Sequence, residues 1–259
     1  LALLVGKLKI CLTFFMNDPQ AHHQLSSGDA KPIPSRAHSS HVQARPTPSA
    51  VKRGVDVVFV IDTTGSMSTK IEGLLATCAQ FVDELVALQL NQRIAIVAFG
   101  DLTEPGDKIV ATDFTDKLEV IKLRLQRIPH FHGGANKGES SLEALEKMLG
   151  LPFRTDVVKV AILITDEPAL QKNRKPQEII AQLRAHEVLT FVVSPDERYF
   201  KAMAKQTGGQ WYKVSAKTDF TTALNMFRRV AQDMTHIVSS VYQLGDGRVQ
   251  TYLQLKPPT

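Results

Sequence analysis

The chain has 259 residues, 43% of them hydrophobic and 22% charged, the proportions of an ordinary globular protein with room for one large domain or two small ones. Its net charge of +5 lies wholly in residues 1–53, which carry seven Lys/Arg and two Asp, so the basicity describes a tail and gives no reason to expect a nucleic-acid-binding core. Its two cysteines, Cys11 and Cys78, give no support to a disulfide framework and suit a reducing compartment.

Residues 1–15 (LALLVGKLKICLTFF) are apolar but broken by Lys7 and Lys9. The run is too short to span a bilayer and lacks the small-residue cleavage site of a secretion signal, so neither a membrane span nor export is expected, and the cytoplasm is the expected compartment. Met16 opens a polar stretch and is the expected native start, with residues 1–15 an upstream extension. Residues 16–53, rich in Pro, Ser, His, Ala and Gln, show no hydrophobic period and complete a disordered basic tail over 1–53. His22, His23, His38 and His41 fall there at a spacing that fits no zinc module.

Order begins at Val55. Residues 55–61 form a near-continuous apolar run, the signature of a strand buried on both faces of a parallel sheet. A polar loop follows, then a helix over 67–88 with apolar residues recurring at three and four from Ile71 to Leu88. Strands are predicted at 93–99 and 109–112, a helix over 116–128 stopped by Pro129, a Gly133-Gly134 loop over 130–138, and a helix over 139–149. A buried strand at 157–165, a helix from Pro176 to about residue 186, a strand at 189–193 and a helix over 197–206 come next. Gly208-Gly209 turns into a strand at 210–214, and a long helix covers 220–238. Residues 241–259 read as a hairpin around Gly245-Asp246-Gly247, or a tail. Strands alternating with helices make 54–240 one α/β domain with parallel pairing and helices on both faces, whose ligands bind beyond the carboxyl ends of the strands.

Three polar loops stand where such a sheet puts its site: Asp62-Thr63-Thr64-Gly65-Ser66, His132-Gly133-Gly134-Ala135-Asn136, and Thr165-Asp166-Glu167-Pro168. Asp62, Thr64 and Ser66 alternate, so an extended turn points their oxygens the same way, as a hard cation requires. The same residues also read as a helix start, with Thr64 or Ser66 the cap and Asp62 favoured by the helix dipole. Asp166 weighs toward the cation, because it ends a second strand that reads as buried. Two carboxylates converging at one sheet edge repel unless a cation sits between them. Two Asp charges and neutral hydroxyls balance a divalent ion and leave a coordination position for a partner's acidic side chain.

The run 57–67 (VVFVIDTTGSM) resembles the opening of a von Willebrand factor type A domain, whose metal-ion-dependent adhesion site has the pattern Asp-x-Ser/Thr-x-Ser. The likeness continues through Phe99-Gly100-Asp101, Gly133-Gly134 and Glu139 to Ile164-Thr165-Asp166-Glu167-Pro168, and so covers residues 55–240. It implies a Rossmann-like, doubly wound, mostly parallel sheet of about six strands with one antiparallel edge strand. It implies Mg²⁺, or Mn²⁺ or Ca²⁺, on Asp62, Thr64, Ser66 and Asp166, and a protein ligand that offers an Asp or Glu to the ion. Intracellular members of the family often work beside AAA+ ATPases or kinase/phosphatase systems. The second loop departs from the pattern: Ala135 stands where a Thr often occurs, and Asn136 follows it. Asn136 is the expected middle ligand through its carbonyl oxygen; it supplies no charge, and a metal-free scaffold is the alternative this opens.

Around this core, Asp101 reads as a supporting residue or a plain loop Asp, and Glu139 as support for a helix N-terminus. His130 and His132 flank the second loop, and Lys172, Arg174 and Lys175 are a basic rim that steers an acidic partner, or a solvated loop. An apolar strand ending in Asp also opens the haloacid-dehalogenase phosphatases, but their second carboxylate falls where Thr64 stands here. Neither a Walker loop nor G-x-G-x-x-G follows a strand, and no His or Cys makes a clear nucleophile–base pair, so a binding module is expected and not an enzyme.

Overall fold

In the computed structural model, the described residues are 53–67, 70–74, 76, 90–133, 138–215 and 217–255. The predicted tail up to residue 52, most of the predicted helix over 67–88, Cys78 and Asn136 lie outside them. The strands are β1 (Gly54–Asp62), β2 (Asn91–Phe99), β3 (Ile109–Ala111), β4 (Val158–Ile164), β5 (Val188–Ser194) and β6 (Trp211–Lys213). The described helices are α1 (Leu118–Gln126), α2 (Ser141–Leu149), α3 (Pro176–Ala185), α4 (Arg198–Thr207), α5 (Phe220–Leu244) and α6 (Val249–Leu255), with a 3-10 turn at Gly65–Met67 running toward helical residues at 70–74.

The six strands form one sheet in the order β3-β2-β1-β4-β5-β6. All neighbours are parallel except the β2–β3 pair at the edge, as expected. Every residue of β1 is buried, and alternation sends its side chains to two cores. Val55, Val57, Phe59 and Ile61 join the core that also holds the inner face of α5. Val58 and Val60 join the core built with α2, α3 and α4. β1 is flanked by β2 on one side and β4 on the other, so the chain reverses its direction of travel across the sheet there, and a crevice opens beyond the carboxyl ends of β1 and β4.

The C-terminal expectation needs correction. Residues 241–255 do not form a hairpin: α5 runs on to Leu244, and α6 follows a tight turn in which Asp246 and Gly247 adopt positive φ of 51° and 81°. Val249 and Tyr252, three apart, are the buried residues of α6, a helical period that overrides the alternation of Val249, Thr251 and Leu253.

Asp56 interrupts the apolar run of β1 and is fully buried. Its strand neighbour is Arg93, whose Nε and Nη2 donate to the carboxylate at 3.0 and 2.7 Å. Arg154 adds its backbone N–H at 2.8 Å and its Nε at 2.9 Å. Burial opposes the charge, but the bonds from Arg93 and Arg154 outweigh it and hold the carboxyl below its ordinary value of 3.8. This cluster closes the amino end of the sheet, opposite the crevice. Arg154→Met strips a partner from a buried carboxylate and is expected to cost about 2–3 kcal/mol near neutral pH. Because the folded value is depressed, that contribution is present above the ordinary Asp range and is lost as pH falls through the lowered value. Urea unfolding of both proteins at about pH 7 and about pH 3 reads the effect; an equal gap at the two pH values would contradict it.

Candidate functional site

The register of β1 against β4 builds the site. Ile61 pairs with Ile164, so the next residues, Asp62 and Thr165, leave the sheet side by side. Thr165 Oγ1 donates to Asp62 Oδ2 at 2.8 Å, and Thr64 donates to Asp62 Oδ1 through its hydroxyl at 2.7 Å and its backbone N–H at 3.0 Å. Across the crevice Ser66 Oγ donates to Asp166 Oδ1 at 2.8 Å. The four described candidates, Asp62, Thr64, Ser66 and Asp166, therefore come together from two loops that lie a hundred residues apart in sequence. Both hydroxyls are spent on carboxylates. Asp62, Thr64 and Asp166 are buried, whereas Gly65 and Ser66 are exposed, so the site meets solvent on the Ser66 side.

Two negative charges in this setting are poorly tolerated. Burial pushes the Asp62 carboxyl up to about 6, against the hydrogen bonds from Thr64 and Thr165, and the charge of Asp166 adds to the rise. A cation beside the carboxylates would offset both causes. Beside Asp166 one is already at hand: Lys70 Nζ lies 3.2 Å from Asp166 Oδ2 and 2.8 Å from the Ser66 carbonyl, with its side chain only 1% exposed. Sequence reasoning missed Lys70, although its place four residues after Ser66 on a helix, where side chains lean toward the N-terminus, points it back at this turn. Thr165 was named only as part of a loop; the parallel register is what aims its hydroxyl at Asp62.

The second loop is anchored by a residue that the motif does not contain. The Asp107 side chain is fully buried and accepts the backbone N–H groups of Asp101 and Gly133 on Oδ2 at 3.1 and 3.0 Å, and that of His132 on Oδ1 at 3.0 Å. Gly100 permits this approach, since a Cβ there would sit 2.5 Å from Asp107 Oδ2. Gly133, with φ of 71°, brings the loop within reach of the first: a Cβ on it would lie 3.0 Å from Glu139 Oε1 and 3.2 Å from Thr64 Cγ2. Asn136 itself lies outside the described residues.

Glu139 corrects a second expectation. It is not in the first turn of a helix; α2 begins at Ser141, and Glu139 forms an isolated bridge with Ala169, donating its N–H to Pro168 and accepting from Leu170, both at 2.9 Å. The bridge ties the second loop to the third. Its buried Oε2 has no hydrogen-bond partner, and the same holds for Oδ2 of the fully buried Asp101, whose Oδ1 accepts from Thr103. Burial, and then the charges of Asp62, Asp101, Asp107 and Glu167, push Glu139 up to about 9. On the rim, His132 is 94% exposed and His130 is exposed. Lys172 and Lys175 are exposed, and Arg174 is tied to Glu146 at 2.8 Å.

Two carboxylates and two hydroxyls converging on a partly open crevice match the oxygen set that a hard divalent ion takes, and the buried negative charge matches its sign. Among the described residues no three or more His, Cys, Asp or Glu are grouped to hold a metal.

Glu139→Gln cannot ionise and serves as a probe of the acidic cluster. The folded value, about 9, lies above the ordinary 4.5, so the stability Glu139 contributes is complete below 4.5 and is lost as pH rises through about 9. In chelator the variant is therefore expected to match the wild type near pH 4.5 and to exceed it by about 1–3 kcal/mol near pH 8. Chemical denaturation across that range is the measurement; curves that stay parallel would show that Glu139 is not held protonated by the fold.

The profile of the von Willebrand factor type A domain matches residues 56–235. No curated protein matches the chain. Among solved structures, it is similar to proximal thread matrix protein 1 from the mussel byssus, at 18% sequence identity and a TM-score of 0.53, over 70% of this chain and 46% of that one. At that identity the likeness speaks for the fold alone, and the chain spans under half the length of that protein.

Proposed function

The chain belongs to the von Willebrand factor type A domain family, and we propose that it is a non-catalytic protein-binding module that works through a divalent ion. Mg²⁺, or Mn²⁺ or Ca²⁺, would be held by Asp62, Thr64, Ser66 and Asp166, with Asn136 as the neutral middle ligand. The observation that carries this reading is the convergence of two buried carboxylates at neighbouring strand ends, with Ser66 open to solvent beside them. When bound, the ion supplies the positive charge that draws a partner's Asp or Glu. The protein's own part is to hold its oxygens in place before the ion arrives. Thr165 and Thr64 fix the Asp62 carboxylate from both sides, Ser66 fixes Asp166, and Asp107 pins the loop that carries the third position.

The partner is an acidic surface of another protein, in the family's intracellular setting of AAA+ ATPases or kinase/phosphatase systems, and the proposed compartment is the cytoplasm. No helix among the described residues is long and apolar enough to cross a membrane. One observation favours a second reading, a metal-free assembly scaffold: Lys70 already neutralises Asp166. Affinity capture from the source cells separates the two. A partner held by the wild type in Mg²⁺, and lost both in chelator and with Asp62→Ala, is the expected result. The same partner retained under all three conditions would establish the scaffold reading instead.

A further inference from the structure

Lys70 sits where a metal ion's charge would act, and the way it is held differs at its two ends. The contact with the Ser66 carbonyl, at 2.8 Å, spans one helical turn and belongs to the local fold. The contact with Asp166 Oδ2, at 3.2 Å, is the longer of the two and reaches across the crevice to the other loop. The ammonium is sealed from solvent, 1% exposed against an Asp166 side chain with none. A partner's carboxylate therefore cannot reach this charge where it lies. Asp166 meanwhile has one oxygen on Ser66 and the other on Lys70, so each oxygen is already engaged by the first loop or by the helical residues that follow it.

Resting on the metal-dependent reading above, we propose that Lys70 is a built-in rival of the ion, a tethered cation that holds Asp166 until a divalent ion displaces it. A dication placed among Asp62, Ser66 and Asp166 repels an ammonium in the same cluster, since like charges at a few ångströms in a buried site interact strongly. The chain must then give up the Lys70–Asp166 contact while Lys70 keeps its bond to the Ser66 carbonyl. Two consequences follow. Without the ion the crevice is not left with two uncompensated carboxylates, so the loops stay closed. With the ion, affinity is lowered by the cost of breaking one charge-assisted hydrogen bond, which sets a concentration threshold for loading the site and hence for engaging an acidic partner.

The test is calorimetric titration of Mg²⁺ and Mn²⁺ into the full chain as wild type, Lys70→Gln, Lys70→Arg and Asp62→Ala, each checked for folding by circular dichroism. Lys70→Gln keeps a donor and most of the volume without the charge, and is expected to bind the ion about ten- to a hundredfold more tightly, the equivalent of one charge-assisted hydrogen bond. Lys70→Arg keeps the charge and should stay near the wild-type affinity. A thermal-shift series gives a second readout: Mg²⁺ should raise the melting temperature of Lys70→Gln more than that of the wild type. Binding by the wild type with no gain in Lys70→Gln would overturn this inference and leave the metal reading intact. No binding by any of the proteins would overturn the metal reading and this inference with it.

Discussion

Two acidic side chains, Asp62 and Asp166, stand at the carboxyl ends of the neighbouring parallel strands β1 and β4, Asp62 level with Thr165 and Asp166 one residue beyond it, and both are buried. Like charges placed this way cost free energy unless something positive or hydrogen-bonding is supplied. Much of the surrounding structure supplies it. Thr165 and Thr64 bond one carboxylate, Ser66 and Lys70 the other, and the 3-10 turn at Gly65–Met67 brings Ser66 and Lys70 to their places. The raised titration of Asp62 to about 6 shows that this compensation is incomplete. On the proposed metal-dependent reading, a cation entering from the exposed Ser66 side would complete the compensation.

More acidic side chains lie close behind the site. Glu139, Asp101 and Asp107 crowd behind the second loop; Asp107 is fully hydrogen-bonded to backbone, whereas Glu139 and Asp101 each keep a buried oxygen without a partner. Such groups lower stability, and a chain selected for stability alone would replace Glu139 by an apolar residue of similar size. The same crowding keeps Glu139 in its neutral form up to about pH 9, so it accepts burial among acids by holding its proton.

The fold was largely legible in the sequence because its core strands carry strong signals. The apolar runs of β1, β4 and β5 could only be buried on both faces, and Pro129 and the glycine pairs punctuate the helices. What escaped was fixed by contacts across the chain. The single Asp56 in an apolar run does not announce that Arg93 and Arg154 meet it. The segment 249–255 alternates like a strand and is a helix because Val249 and Tyr252 find the same core as α5. At the site, Asp62, Thr64, Ser66 and Asp166 were readable from loop position and motif. Thr165 and Asp107 were not, since their roles depend on strand register and on the path of a loop between β2 and β3, and Lys70 was signalled only by its helical spacing from Ser66. Glu139 was placed in a helix by its neighbours, whereas its backbone pairs with the third loop.

The most direct measurement is a crystal structure of the protein grown with Mn²⁺, with the ion located by its anomalous scattering. The expected map has a single strong peak in the crevice, at about 2.0–2.3 Å from oxygens of the first and third loops, with Ser66 among its ligands and Lys70 turned away from Asp166. A map without a peak there, with Lys70 still bonded to Asp166 at saturating Mn²⁺, would contradict the claim that these two carboxylates exist to hold an ion.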